Sequence, residues 1–216
     1  MNKKTTLTLA ACLLLSFILW TLLIALVNVE AIGPEGSTVG LATLNRLVRD
    51  AIGVRTELYL ITDWLGLIPM VTAAGFGILG LWQWIKRRRI TLVDRDILAL
   101  GGLYVVVIAV FAFFELCVIN RRPVLIDGVL EASYPSSTTL LCTCVMPTAA
   151  MQLHRRIRHT AWRRALTVVV WGFTVFMVIG RILSGVHWIT DIIGGILLSA
   201  GLVLLYVGAC RTAERK

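Results

Sequence analysis

Long apolar runs with few charges constrain this chain more than any other feature of its sequence. A helix needs roughly 20 mostly apolar residues to cross the hydrocarbon core of a bilayer, and its backbone must satisfy its own hydrogen bonds there. About six such runs occur, near residues 5–28, 58–85, 97–120, 138–153, 165–182 and 190–210. The sequence therefore predicts an all-α, polytopic membrane protein, a single membrane domain over residues 1–216 built as a bundle of six transmembrane helices.

The distribution of basic residues predicts the orientation. With six spans, both termini share one side, and most of the 21 basic residues fall on that side in four groups. These groups are Lys3 and Lys4; Lys86 to Arg89 with Arg95; Arg155, Arg156, Arg158, Arg163 and Arg164; and Arg211, Arg215 and Lys216. Basic loops face the cytoplasm. We therefore expect a multi-pass protein of the plasma (inner) membrane with both termini cytoplasmic, and a retained first span rather than a cleaved signal peptide.

Charge and cysteine content exclude other classes. The net charge of +9 collects in short loops between spans, where it contacts anionic headgroups, so no nucleic-acid partner is expected. Five cysteines lie within apolar runs, with no CxxC pair and no histidine at ligand spacing. They predict neither a disulfide framework nor a metal site, and no cofactor is expected.

The longest stretch between spans follows the first run, and residues 1–57 together form the first span and an outer loop. In this loop the apolar residues Leu41, Leu44, Val48 and Ile52 recur at helical spacing. The pattern predicts a short helix. It either lies on the outer membrane surface or packs over the bundle as an ordinary loop helix.

Three polar patches fall on the outer side in this topology, and they become neighbours if the spans bundle. The patches are Asn120-Arg121-Arg122-Pro123, Tyr134-Pro135-Ser136-Ser137-Thr138 and the segment from Arg181 to Asp191. The site they would form faces the extracytoplasmic side.

The third patch carries a pattern typical of an oriented nucleophile. His187 and Asp191 are four residues apart, so they share one face if the last helix begins near His187. The carboxylate then accepts the Nδ1 proton of the ring and leaves Nε2 free as a nucleophile or base. Taken singly, Asp191 could equally cap a helix, and an arginine near a helix end could reach lipid headgroups.

Two arginines add phosphate recognition to this histidine. Arg122 and Arg181 present planar donor forks suited to phosphate oxygens. Ser136, Ser137 and the amides that open a helix offer further donors. Together the three patches predict a site for phosphoryl transfer.

These motifs resemble those of the type 2 phosphatidic acid phosphatase (PAP2) superfamily, whose signature reads KxxxxxxRP, PSGH and SRxxxxxHxxxD. Here the third part is present as Arg181, His187 and Asp191 at the same spacing, the first as Arg122-Pro123 and the second as Pro135-Ser136. The similarity spans about residues 97–210, a PAP2-like catalytic core. Among the departures from the signature, Gly180 stands at the leading serine of the third part, Glu115 at the lysine of the first and Thr138 at the histidine of the second.

The resemblance implies a six-helix enzyme that removes phosphate from a lipid phosphate or diphosphate without a metal. His187 would attack phosphorus to form a phosphohistidine, and Asp191 would orient it. Phosphoryl oxygens would be held by Arg122, Arg181, Ser136, Ser137 and Thr138, with Arg121 replacing some of the missing positive charge. Because Thr138 is no acid at neutral pH, Asp127 or Glu131 is a candidate for the missing general acid.

Three functions stay open at this point. The first is an active phosphatase, whose substrate would be a polyprenyl diphosphate such as undecaprenyl diphosphate or a phosphatidate-type lipid. The second is a lipid phosphotransferase. The third is a catalytically silent protein that binds lipid phosphates or scaffolds partners. The intact His187 favours the enzymes, whereas Glu115 and Thr138 favour the silent protein.

Overall fold

The computed structural model describes residues 2–213, and eight α-helices carry the fold of this part of the chain. They are α1 (Lys3–Leu26), α2 (Ala42–Ile52), α3 (Thr56–Leu65), α4 (Leu67–Arg87), α5 (Arg95–Leu116), α6 (Ser137–Arg156), α7 (Thr160–Ser184) and α8 (Ile189–Ala213). The all-helical expectation is thereby confirmed. Arg215 and Lys216, in the predicted C-terminal basic group, lie outside the described residues.

Five stretches of the described chain are long and apolar enough to cross a membrane, so this is a multi-pass membrane protein. They are Lys3–Leu26, Thr56–Arg87, Arg95–Leu116, Thr160–Ser184 and Ile189–Arg211. The second of them combines α3 and α4, which meet at Gly66. All five coincide with runs that the sequence predicted as spans.

The remaining predicted span is α6, a helix of 20 residues that contains Pro147 and is too polar to qualify by hydropathy alone. Most of its central residues are buried in protein rather than exposed to lipid. Its polar side chains find partners there: Gln152 donates to the Tyr206 hydroxyl at 2.5 Å, and Thr148 donates to the Cys144 carbonyl at 2.9 Å. A helix enclosed in this way can run through the bundle with little apolar character.

α8 lies at the centre of the bundle, packed against α1, α5 and α6. Glycines allow α1 to approach it closely, because a Cβ at Gly201 would lie 2.7 Å from Leu14 Cδ2 and a Cβ at Gly208 would lie 2.6 Å from Leu7 Cδ2. Either substitution would require the Leu14 or the Leu7 side chain to move.

The helix predicted in the loop after the first span forms as α2 and packs on the N-terminal end of α8. The buried Asn45 amide donates to the Gly40 carbonyl at 2.8 Å and to the Thr190 hydroxyl at 3.0 Å. Arg49 lies over the Trp188 indole, 5.5 Å from the ring centroid, and donates to the Pro123 carbonyl. α2 thus covers the loop between α7 and α8.

Candidate active site

The three polar patches come together at one end of the bundle. Asn120 and Arg122 follow α5, Ser133 precedes α6, His187 lies between α7 and α8, and Asp191 lies in the first turn of α8. Segments that are distant in sequence therefore form one site.

Asp191 is fully buried and accepts three hydrogen bonds. The donors are the Ser133 hydroxyl at 2.5 Å, the Trp188 backbone N–H at 3.0 Å and the Asn120 side-chain amide at 3.2 Å. The bond from Trp188, the residue before α8, caps this helix in the manner of a capping box. These donors compensate for the removal of the carboxylate from water, so that Asp191 both caps α8 and anchors Ser133.

The predicted direct hydrogen bond between His187 and Asp191 is not formed. α8 begins at Ile189, so His187 lies before the helix and does not share a helical face with Asp191. His187 Nδ1 lies 3.9 Å from Asp191 Oδ2, beyond hydrogen-bond range, and 3.0 Å from Ser133 Oγ. The single proton of the Ser133 hydroxyl goes to Asp191, so this oxygen accepts the proton of His187 Nδ1–H. Ser133 therefore links the two residues.

This arrangement leaves His187 Nε2 as the unprotonated nitrogen of the neutral ring. Nε2 is buried and has no hydrogen-bond partner among the described residues. Burial, reinforced by the positive charges of Arg122 and Arg181, holds the pKa of His187 well below its usual value. The ring is thus neutral at neutral pH, with a lone pair available for nucleophilic attack.

Arg181 is held by residues that the sequence analysis did not identify. Its Nη2 donates to Asp63 Oδ1 at 3.1 Å and to Thr138 Oγ1 at 2.5 Å, and its guanidinium lies over the Tyr59 ring at 5.1 Å. Asp63 and Tyr59 come from α3, within the second apolar run. A carboxylate inside a membrane span is itself a signal of a functional site, and Asp63 could have been found on that ground.

Arg122 also has a carboxylate partner. Its Nε lies 3.1 Å from Glu131 Oε2, and its backbone N–H donates to the Glu131 carbonyl at 3.1 Å. The side chain of Arg122 is largely buried, and Nη1 has no hydrogen-bond partner among the described residues. Part of this guanidinium is therefore available to a ligand.

A cavity of about 510 Å³ adjoins these groups. The polar residues that line it include Arg122, Ser133, Ser137 and His187. Apolar side chains line it as well, and they include Phe111, Phe114 and Leu140. Two carboxylates, Glu115 and Glu131, also line it. The cavity therefore combines polar, charged and apolar lining residues.

Six of the predicted site residues are not among those that line this cavity: Arg121, Asp127, Ser136, Thr138, Arg181 and Asp191. Arg121 is exposed and donates to the Leu130 carbonyl, and Asp127 is exposed at the tip of a turn with a positive φ of 48°. Ser136 is buried beneath the site, where its hydroxyl accepts from Thr139. The loop before α6 folds back on itself through the antiparallel bridge between Arg121 and Ala132, which directs Arg121 along the loop.

Comparison with known proteins finds a family to which these residues are similar. The sequence model described as the PAP2 superfamily matches residues 119–214, which include Arg122, His187 and Asp191. Over this segment, which is less than half of the chain, the protein is similar to the PAP2 superfamily.

Two known proteins of the same type are also similar to this chain. Phosphatidylglycerophosphatase B of Bacillus subtilis (strain 168) is 30% identical over 76 residues, which are 35% of this chain and 36% of the relative. The matched region thus spans about a third of the relative's length. The crystal structure of a transmembrane PAP2-type phosphatidylglycerolphosphate phosphatase from Bacillus subtilis superposes with a TM-score of 0.59 at 19% identity, covering 96% of this chain and 97% of that one. The likeness shows a shared PAP2-type membrane fold.

Proposed function

We propose that this protein is a lipid phosphatase of the plasma membrane, with its site on the extracytoplasmic side, that hydrolyses a lipid phosphate or diphosphate. The observation that carries the proposal is the free Nε2 of His187 beside the cavity, in a tautomer fixed by Ser133 and Asp191. A protein that only bound lipid would have no need of an oriented nucleophile.

The proposed reaction has two steps. His187 Nε2 attacks phosphorus, an N–P bond forms, and the bond to the leaving oxygen breaks with its electron pair on that oxygen. Water then hydrolyses the phosphohistidine and returns His187 to its neutral form. Both steps use side chains of this chain and require no metal.

Arg122 and Arg181 bind the phosphoryl oxygens in this proposal. Arg122 offers the unpartnered Nη1, whereas Arg181 already donates to Asp63 and Thr138. A phosphate must therefore share Arg181 with these two oxygens. Ser137 and the first amides of α6 add donors at a positive helix end.

The leaving group determines how much the absence of histidine at position 138 matters. General acid help is typically worth about 10² to 10⁴ in rate. A phosphate leaving from a diphosphate has a pKa of about 6 and needs little of this help, whereas an alkoxide needs much. Glu131 lines the cavity and is the better placed of the two expected acids, because Asp127 does not line it. The substrate could thus be a diphosphate, or a monoester with acid help from Glu131.

Phosphate release from purified protein tests the proposal. Lipid diphosphates and monophosphates are assayed with the wild type and with His187→Ala as the control. We expect release that depends on His187 and an acid-labile phosphohistidine that can be trapped on the wild type. No release above the control on any lipid would refute the enzyme.

One observation favours a silent lipid-phosphate-binding protein as the second candidate. Both site arginines already have carboxylate partners, Asp63 for Arg181 and Glu131 for Arg122. A silent protein would bind a lipid phosphate with an affinity that depends on Arg122, yet would form no phosphohistidine. The trapping experiment therefore separates the two candidates.

A further inference from the structure

Glu115 is an ionisable side chain that the proposed reaction does not use. It lies in the last turn of α5, is exposed, and lines the same cavity as His187. In the described part of the chain it has no hydrogen bond or ion pair. A carboxylate at the end of a membrane span is costly unless it faces water or a cation, so an unpaired one beside a nucleophile points to a ligand.

The charges that line this cavity do not suit a simple phosphate ester. Arg122 supplies the guanidinium that lines the cavity. Glu131 Oε2 lies 3.1 Å from Arg122 Nε and compensates for the charge of this arginine. Glu115 then remains as an uncompensated negative charge. A ligand with only negative charge would be attracted by Arg122 and repelled by Glu115.

The same cavity nevertheless has an anion-binding end. Arg122 is 8% exposed and His187 is 6% exposed, and each has a buried nitrogen without a partner, Nη1 and Nε2. These nitrogens suit a phosphoryl group. The cavity therefore presents a phosphate site and a separate negative charge, a combination that matches a zwitterion.

Aromatic rings reinforce the cationic half of this match. Phe111, Phe114 and Tyr134 line the cavity together with Glu115. The faces of such rings attract ammonium groups, and the attraction grows when the ion leaves water. A cavity that is lined by a carboxylate and by aromatic rings is thus a suitable environment for an organic cation.

We propose that the substrate is a zwitterionic amphiphile, a phosphate monoester whose leaving alcohol carries an ammonium group next to the ester oxygen, and that Glu115 binds this ammonium. The inference rests on the proposed function and specifies its substrate class. It also accounts for Thr138, because an ammonium group beside the leaving oxygen stabilises the negative charge that develops there, where Thr138 supplies no acid.

A matched pair of ligands tests the inference. One is a medium-chain β-aminoalkyl phosphate, and the other is its N-acetyl derivative, which lacks the positive charge. Their kcat/KM values are compared on the wild type, and their affinities are compared on His187→Ala in nanodiscs of zwitterionic lipid. We expect the ammonium compound to be favoured about twofold to fivefold in both measurements, the size found for exposed charge pairs in proteins.

Substitutions at position 115 assign the preference to this side chain. Glu115→Gln should bring both ratios close to one, and Glu115→Lys should reverse them. Glu57→Gln is the matched control, because Glu57 is an exposed carboxylate at the outer end of α3 that is not among the lining residues of the cavity. It should keep the wild-type ratios.

The outcomes separate the inference from the function on which it rests. Phosphate release that depends on His187, with equal rates and equal affinities for the two ligands, would overturn the inference and leave the phosphatase standing. Preferential binding of the ammonium compound, lost in Glu115→Gln, supports the inference even if neither ligand is hydrolysed, and absence of release from every lipid tried would then refute the phosphatase alone.

Discussion

Replacing Ser133 by alanine tests the link between His187 and Asp191. Ser133 Oγ accepts from His187 Nδ1 at 3.0 Å and donates to Asp191 Oδ2 at 2.5 Å. In Ser133→Ala the ring loses the hydrogen bond that fixes its tautomer and orientation. Asp191 keeps its bonds from Trp188 and Asn120, so the start of α8 should stay in place.

The size of the effect follows from burial. His187 and Ser133 are 6% and 3% exposed, so water cannot replace the missing hydroxyl without entering the site. Leaving a buried donor unpaired costs about 1 to 3 kcal/mol, which corresponds to a fall in kcat of about 5- to 150-fold if the ring must restore its orientation to react. KM should change little, because Arg122 and Arg181 still bind the phosphate.

Phosphate release and phosphohistidine trapping measure this effect, with thermal unfolding as the stability readout. Ser133→Thr retains a hydroxyl and should recover part of the lost rate. Ser199→Ala is the matched control, because Ser199 is a buried serine that bonds Thr143 within the bundle, away from the cavity. It should cost stability without the loss of kcat. A kcat for Ser133→Ala within threefold of the wild type would refute the reasoning, since the ring would then have closed the 3.9 Å gap to Asp191 by itself.

Three further predictions concern charge, pH and topology. In Asp63→Asn the guanidinium of Arg181 loses its competitor, so inorganic phosphate should compete with substrate about threefold to tenfold more tightly; weaker competition would contradict a shared Arg181. Because the pKa of His187 is held below 6.5 in the folded protein, the unfolded state binds more protons, and the free energy of unfolding should fall as pH drops below 6.5. Thermal unfolding should show this fall, and His187→Ala should lessen it. In a background without other cysteines, Asp127→Cys should react with an impermeant maleimide on intact cells, and protection there would place the site on the cytoplasmic side.

Most of the fold could be predicted from hydropathy, and α6 shows where hydropathy is insufficient. Five spans are long and apolar, so their sequences alone reveal them. α6 is enclosed by other helices, and polar residues such as Gln152 are stable in it because Tyr206 supplies a partner. Its assignment as a span required the distribution of charges as well.

The site was predicted in part, and the reason lies in the type of residue. His187, Asp191 and the two arginines are rare at the ends of apolar runs, so they are conspicuous. Ser133 is an ordinary serine in a loop, and its position between His187 and Asp191 depends on how the segment before α6 folds over α8. Sequence spacing suggested a helical pair of His187 and Asp191, but the helix begins two residues too late.

The pairing of each site arginine with a carboxylate constrains what can bind. With Asp63 on Arg181 and Glu131 on Arg122, each site arginine has a counter-charge even without a ligand, which suits a position inside a membrane protein. A phosphate that takes over the two guanidiniums leaves both carboxylates without a counter-charge. That cost falls on every purely anionic ligand, whereas a ligand that brings its own cation compensates for part of it. The same charges that make the arginines tolerable in the membrane therefore select against simple phosphates, and they favour the zwitterionic class to which Glu115 points.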